Sequence, residues 1–132
     1  MLYHLDTNVI LDLIDMRAGV AERMKAVYRD HEIRMSDIVY YEVLRGFRLR
    51  NAMRKFSVFM NFCKSIGIDF QTKESLELAA ENYAHLTRNG ITIGDDDILI
   101  GSLAIANGAV MVTNNTRHFE NLPNIRLENW AE

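Results

Sequence analysis

The sequence predicts an α/β fold built on a short parallel sheet, and three observations support this. Short apolar runs alternate with longer amphipathic segments, as expected when strands alternate with crossover helices. One run, residues 109–113, is continuously apolar, which is typical of a parallel strand covered on both faces. The runs end in polar residues, as strands do when their carboxyl ends form a functional edge. The 132 residues are expected to form one domain.

Composition excludes several classes of protein. Apolar residues make up 48% of the chain and charged residues 25%, which is typical of a globular protein and not of a disordered one. The net charge of −3 means that any contact with nucleic acid must come from a local basic patch. The chain lacks a signal-peptide pattern and a membrane-spanning apolar run, so no membrane association is expected. The lone Cys63 cannot form an internal disulfide, which fits a cytoplasmic location.

The N-terminal segment is predicted to place an acid at a strand end. Residues 1–8 resemble a short strand ending in polar residues, and residues 9–14 form a helix capped by Thr7 or Asn8. Asp6 lies at this strand-to-helix turn, where α/β enzymes commonly carry active-site groups. A turn acid that bonds only to backbone N–H groups is the alternative interpretation.

The next unit is a helix, a strand and a second helix. An exposed amphipathic helix is predicted over residues 22–28 and a strand over residues 31–36. Ser36 or Asp37 caps the helix that follows. Three residues of that helix share one face by their spacing: Glu42, Arg45 and Gly46. A surface salt bridge with Arg45 is the alternative role for Glu42.

The only basic cluster of the chain spans residues 45–55. It contains five cations in eleven residues: Arg45, Arg48, Arg50, Arg54 and Lys55. Such a cluster either contacts a polyanion or forms a solvated helix face. Residues 56–66 are apolar and aromatic, as expected of a core or subunit contact.

The second half of the chain repeats the alternation. A strand is expected over residues 67–70, then a helix over residues 73–88 that Thr72 caps and Asn89–Gly90 ends. The apolar residues at helical spacing predict its inner stripe: Leu76, Ala79, Ala80, Tyr83 and Leu86. A buried strand at residues 109–113 and an edge strand at residues 125–127 follow a further helix.

That further helix begins with three consecutive acids, Asp95, Asp96 and Asp97, directly after Gly94. Carboxylates in a first turn are favoured by the helix dipole, and one of them would suffice as a cap. Like charges about 4 Å apart cost roughly 4 kcal/mol at an effective dielectric constant of 20. A bound cation is the simplest way to remove that cost, although an acidic helix start is often only structural.

The carboxyl ends of parallel strands meet at one edge, so several oxygen donors are expected there. They are Asp6, Glu42, Asp95, Asp96, Asp97 and Asn115. Oxygen ligands without a Cys or His set favour Mg²⁺ or Mn²⁺ over Zn²⁺. The four histidines lack metal-ligand spacing and are expected to be surface or cap residues, with only His118 near this edge.

Four segments, in order, resemble the motifs of the PIN-domain family. They are Leu5-Asp6-Thr7-Asn8, Ser36 with Glu42 and Gly46, Asp97 at the head of its helix, and the segment from Val112 through Thr113 and Asn115 to Phe119. The compact size and the Leu127-Glu128-Asn129-Trp130 ending are similar to VapC proteins, the toxins of type II toxin–antitoxin pairs.

This resemblance implies a three-layer PIN fold over residues 1–132 and an endoribonuclease that depends on Mg²⁺ or Mn²⁺. It assigns Asp6, Glu42 and Asp97 as catalytic and metal-binding acids. Supporting roles fall to five residues: Thr7, Asn8, Ser36, Thr113 and Asn115. Many family members have an aspartate where Asn115 stands, so Asp95 or Asp96 is a candidate to replace that acid.

The resemblance also implies partners. A cognate VapB-like antitoxin, a homodimer and a toxin–antitoxin hetero-oligomer are expected, with operator DNA reached only through the antitoxin. The substrate is a structured RNA such as tRNA, with initiator tRNA as one target, and the cations of residues 45–55 contact this RNA or the antitoxin.

Three alternative functions remain open from the sequence. The chain could be a housekeeping PIN nuclease, or a regulatory binding module with a relict metal site. A phosphatase with Asp6 as nucleophile is disfavoured, because Asn8 stands where such enzymes need a second acid.

Overall fold

A computed structural model describes residues 1–132. Its five strands form one sheet with the order β3-β2-β1-β4-β5, and every neighbouring pair is parallel. The strands are β1 (Leu2–Leu5), β2 (Glu32–Ser36), β3 (Gly67–Asp69), β4 (Val110–Val112) and β5 (Leu127–Glu128). The seven helices are α1 (Thr7–Ile14), α2 (Ala18–Tyr28), α3 (Asp37–Leu49), α4 (Met53–Phe62), α5 (Lys73–Arg88), α6 (Asp95–Ala106) and α7 (Thr116–Phe119). The predicted α/β fold with a parallel sheet is confirmed.

The strand order reverses direction at β1. The chain moves outward from β1 through β2 to β3, then crosses to the other side of β1 to form β4 and β5. Because parallel crossovers are right-handed, this reversal places α1 to α4 on one face of the sheet and α5 and α6 on the other. A crevice therefore opens between the carboxyl ends of β1 and β4, the usual ligand site of such sheets.

Helix α6 is the most deeply buried helix and places its acidic first turn at this crevice. Six of its residues are buried: Ile98, Ile100, Gly101, Ser102, Leu103 and Ala104. It packs along α5 on one side and contacts β2 and β4 on the other. The apolar body of α6 thus fixes the position of its acidic first turn.

No helix of the protein has the length and apolar character that crossing a bilayer requires.

Several local predictions need correction. The cap of α1 is Asp6, whose Oδ1 accepts a hydrogen bond from the Thr7 N–H at 2.8 Å, and neither Thr7 nor Asn8 caps the helix. Helix α2 begins at Ala18 and not at residue 22. The Ser36 cap of α3 is confirmed, since its hydroxyl accepts from the Val39 N–H at 3.1 Å.

The inner face of α5 is more polar than its apolar residues predict. Leu76 and Tyr83 are about half exposed, and Ala80 is exposed too. The buried positions are Ser75, Ala79, Asn82 and Leu86. Asn82 donates a hydrogen bond to Ser102 of α6 at 3.0 Å, so a buried polar pair fixes the register of the two helices.

The predicted position of His4 also needs correction, because His4 is buried in the sheet and does not lie at the surface. Its Nε2 lies 2.7 Å from Oδ2 of Asp69, whose other oxygen accepts from Arg34 Nε at 2.6 Å. Burial lowers the pKa of His4 despite the nearby carboxylate. Burial alone would raise the pKa of Asp69, but the hydrogen bonds from Arg34 and His4 outweigh it and lower that pKa. One carboxylate therefore links β1, β2 and β3.

We expect Asp69→Asn to lower the free energy of unfolding by about 2 kcal/mol at pH 7, because an amide cannot replace two charge-assisted hydrogen bonds. The contribution of His4 to wild-type stability should also fall as the pH drops below 6.5, because the unfolded His4 takes up a proton that the folded one resists. The raised pKa values of Glu42 and Asp97 act in the opposite direction over this range. The contribution of Asp69 should fall as its carboxylate is protonated below 3.8. Urea unfolding across this range measures both effects, with the exposed Asp30→Asn as control. Equal losses in the two variants would contradict this role of Asp69.

Candidate active site

The largest group of polar side chains lines a cleft of about 330 Å³ at the carboxyl edge of the sheet. Eleven residues form its wall: Asp6, Thr7, Asn8, Leu11, Glu42, Val43, Arg45, Arg50, Asp97, Asn115 and His118. The cleft lies where the strand order reverses, next to the carboxyl ends of β1 and β4. All three acids that the resemblance assigns as catalytic line this one cleft.

Asp6 is held rigidly at the base of the cleft. It is only 6% exposed, and its Oδ2 accepts a hydrogen bond from the Thr113 hydroxyl at 2.9 Å. The same hydroxyl accepts from the Asn115 N–H at 3.0 Å, so Thr113 connects Asp6 to the loop after β4. Burial raises the pKa of Asp6, while the hydrogen bonds from Thr7 and Thr113 partly offset this effect.

Glu42 projects from α3 on the opposite wall. Its Oε1 accepts a hydrogen bond from the Thr7 hydroxyl at 2.7 Å, and its Oε2 lies 3.8 Å from Nη2 of Arg45. Burial and a hydrogen bond to the Asp96 carboxylate raise the pKa of Glu42 to about 7. The same hydrogen bond lowers the pKa of Asp96.

Asp97 stands in the first turn of α6 beside His118. Oδ2 of Asp97 lies 3.2 Å from Nδ1 of His118. Burial, followed by the negative charges of Asp96 and Asp6, raises the pKa of Asp97 to about 6, against an opposing effect of His118. The carboxylates of the cleft therefore repel one another, and the nearby positive charges do not balance their negative charge.

The three acids of α6 differ in position. Asp97 lines the cleft, Asp96 contacts Glu42, and Asp95 is exposed and outside the cleft wall. Asn115, at the head of α7, is exposed and its Nδ2 lies 3.2 Å from Nδ1 of His118. Of Asp95 and Asp96, Asp96 is the one that acts on the acids of the cleft.

Two asparagines hold the loop after β4 against α1. The side-chain Oδ1 of Asn8 accepts a hydrogen bond from the backbone N–H of Asn114 at 3.1 Å. The side-chain Nδ2 of Asn114 donates to Oδ2 of Asp12 at 2.8 Å. The Oδ1 of Asn114 is buried without a hydrogen-bond partner. These contacts fix the position of Thr113 and therefore of Asp6.

The chemistry of the cleft residues suits a divalent cation, but these residues do not surround a single metal position. The donors are oxygens, and their mutual repulsion is the condition that a cation relieves. As they stand, however, no three or more Asp, Glu, His or Cys side chains are grouped to surround one metal ion. This arrangement fits a cation such as Mg²⁺, which one or two carboxylates hold while water completes its shell.

The sequence predicts His118 as a surface or cap residue near this edge, without a role at the site. The structure places His118 in the wall of the cleft. The usable signal was its spacing, since a residue three positions after Asn115 in a helix turn returns to the same side. Its contact with Asp97 joins α7 to α6 and needs the tertiary fold.

Comparison with known proteins agrees with this geometry. The model of the PIN domain family matches residues 3–125. Ribonuclease VapC2 of Rickettsia felis is 32% identical over 98% of both chains, and the tRNA(fMet)-specific endonuclease VapC of Salmonella typhimurium is 30% identical over 98% of both. Both are similar to this chain along nearly its whole length.

Solved structures show the same similarity. The crystal structure of VapBC2 from Rickettsia felis bound to a promoter DNA fragment contains a chain with a TM-score of 0.93 and 30% identity, covering 98% of this chain and 99% of that one. DNA-bound VapBC from Salmonella typhimurium matches with a TM-score of 0.89 and 28% identity, covering 98% and 99%. The chain therefore belongs to the PIN-domain family, among the VapC-like endoribonucleases of toxin–antitoxin systems.

Proposed function

We propose that this chain is the toxin of a type II pair and cleaves structured RNA, including tRNA, with the help of Mg²⁺ or Mn²⁺. The observation that carries the proposal is the pairing of charges in one cleft. Asp6, Glu42 and Asp97 line it together with the cations Arg45 and Arg50. A phosphodiester needs such a combination, because acids hold a cation while basic side chains hold neighbouring phosphates.

The residues of the cleft have distinct roles in this proposal. Asp6 and Asp97 hold the cation, and Glu42 completes the acidic set. Thr113 keeps Asp6 in a fixed rotamer, and the Thr7 hydroxyl orients Glu42. A bound Mg²⁺ or Mn²⁺ supplies activation of water and neutralisation of charge on the phosphate.

A more specific proposal for the RNA substrate rests on the names of two relatives. Proteins of Salmonella typhimurium and Shigella flexneri that carry the name tRNA(fMet)-specific endonuclease are 30% and 28% identical to this chain. We therefore propose initiator tRNA as a target, in the cytoplasm where tRNA is found.

Purified protein incubated with initiator and elongator tRNA transcripts tests the proposal. Cleavage should require added Mg²⁺ or Mn²⁺, stop in EDTA, and be faster on the initiator tRNA. Equal cleavage of both transcripts would remove only the initiator preference. No cleavage of any RNA in the presence of either metal would favour a non-catalytic binding module, and trapped aspartyl-phosphate would favour a phosphatase.

A VapB-like antitoxin is the proposed protein partner. Three neighbouring solved structures are VapBC complexes, and two of these three contain DNA. An apolar groove between α1 and α4 is lined by Leu13, Ile14, Met16, Val58 and Phe62, with Arg54 and Lys55 at its side. This combination suits an amphipathic segment with acidic residues. We propose that operator DNA is reached only through this partner, in a hetero-oligomer.

A homodimer is the proposed state of the toxin itself. The exposed face of α5 carries Leu76 and Tyr83, and Phe70 precedes this helix with 67% of its surface exposed. These residues form an apolar surface that a second copy can cover.

A further inference from the structure

We infer that Arg50 binds the RNA phosphate next to the cleavage position, and that Gly46 exists to leave room for its guanidinium group. This inference rests on the proposed ribonuclease function and sharpens it. It separates one substrate-binding residue from the five cations of residues 45–55.

The first argument is position. Arg50 is the C-terminal cap of α3 and lines the acidic cleft together with Asp6, Glu42 and Asp97. It also lines an adjoining pocket of about 170 Å³ that contains Asp15 and Lys55. Arg50 and Leu11 thus form the shared wall between the acids and this continuation of the cleft, which we take as the exit path for an RNA strand.

The second argument is charge. Arg45, the other cation of the cleft, lies 3.8 Å from Glu42 and stacks over Tyr41. Lys55 is paired with Asp15 at 2.8 Å. Arg50 contributes with Lys55 and Arg17 to lowering the pKa of Asp15 but forms no ion pair within 4 Å. Among these three cations, Arg50 is therefore the one without a carboxylate partner at ion-pair distance. A guanidinium group is well suited to a phosphate, because its N–H groups can bind two oxygens at once.

The third argument is the local backbone. The Nε of Arg50 donates a hydrogen bond to the Gly46 carbonyl at 3.2 Å, so the side chain folds back along its own helix towards the cleft. A β-carbon at Gly46 would lie only 3.1 Å from Nη2 of Arg50. A glycine inside a helix is unfavourable, and this close approach of the guanidinium group accounts for it.

Arg48 shows that the position of Arg50 is specific. Its guanidinium group stacks over the Phe56 ring at 4.3 Å, and the residue does not line the cleft. Arg48 therefore carries the same charge in the same segment but offers a comparison without the proposed contact.

Cleavage and binding of a fluorogenic single-stranded RNA test the inference. Arg50→Ala should raise KM about tenfold with kcat within about twofold, and lower the salt slope of binding by about 0.7. Arg50→Lys should recover part of the loss, and Arg48→Ala should have a clearly smaller effect. Arg29→Ala, which removes an exposed cation at the end of α2, is the control for net charge.

Gly46→Ala gives a second, independent readout. Its methyl group would meet the guanidinium group at 3.1 Å and shift it by a few tenths of an ångström, so KM should rise about twofold while the thermal midpoint rises by about 3 to 5 °C. In the Arg50→Ala background the same substitution should leave KM unchanged.

Two outcomes distinguish this inference from the function on which it rests. If wild-type protein cleaves RNA and Arg50→Ala has the same KM and salt slope, the role of Arg50 is wrong and the function stands. If the wild type cleaves RNA in neither Mg²⁺ nor Mn²⁺, the function fails, and anisotropy of RNA binding still decides the role of Arg50.

Discussion

Replacing Asp97 by asparagine is expected to lower the rate of RNA cleavage by about 10²- to 10³-fold without loss of stability. The amide keeps the size of the side chain but removes the charge that holds the cation. Burial and the charges of Asp96 and Asp6 raise the pKa of Asp97 to about 6, so the fold disfavours its ionised form. The neutral asparagine should therefore be at least as stable as the wild type in urea unfolding at pH 7.5.

The neighbouring acid supplies the matched control. Asp95→Asn makes the same chemical change two residues earlier, at an exposed position outside the cleft. It should retain activity within about twofold. Full metal-dependent activity in a folded Asp97→Asn protein, or equal losses in both variants, would contradict the assignment of Asp97.

The second large effect is a dependence of cleavage on both pH and Mg²⁺. The pKa values of Glu42 and Asp97 are raised to about 7 and about 6, so lowering the pH protonates these two acids first. A protonated carboxyl group is a poor cation ligand, and the cation competes with the proton. At limiting Mg²⁺ the rate should fall about tenfold or more between pH 7.5 and pH 5.5. At saturating Mg²⁺ the fall should move to lower pH.

Initial rates at several Mg²⁺ concentrations across this pH range measure the effect. Circular dichroism at each pH is needed as a control, because His4 loses its contribution to stability as the pH falls below 6.5. A pH profile that does not move with Mg²⁺ concentration, in protein that remains folded, would contradict competition between proton and cation.

The strands and the acidic edge could be predicted because their signals are local. A continuously apolar run marks β4, and Asp6 and Asp97 each follow or precede a buried segment. Parallel pairing then brings strand ends together, so their convergence follows from the fold class. This logic predicts Asp6 and Asp97 at one edge of the sheet, and the resemblance to the PIN-domain family adds Glu42 to them.

Other features depend on contacts that the sequence does not display. Asp6, Thr7 and Asn8 are all good caps, and the distant Thr113 hydroxyl fixes Asp6 in that role. His4 is buried and pairs with Asp69. The sequence does not display this contact, because the two residues lie 65 positions apart. Helix α5 buries Asn82 against Ser102, and a search for apolar periodicity cannot find a buried polar pair.

The cations show the same limit. Their spacing predicts a basic helix, but the direction of each side chain decides its role. Arg48 turns to Phe56, Lys55 turns to Asp15, and Arg50 folds back over Gly46 into the cleft. Gly46, as a glycine inside a helix, is the only sequence signal of a close approach at this position.

The central claim is that these acids form a metal-dependent centre for RNA cleavage. Its most direct test measures Mn²⁺ binding by electron paramagnetic resonance and the cleavage rate over the same Mn²⁺ titration. The Mn²⁺ concentration at half-maximal rate should match the dissociation constant, and Asp97→Asn should weaken binding and cleavage together. Cleavage at an undiminished rate in EDTA, or tight Mn²⁺ binding that Asp97→Asn does not change, would contradict the claim.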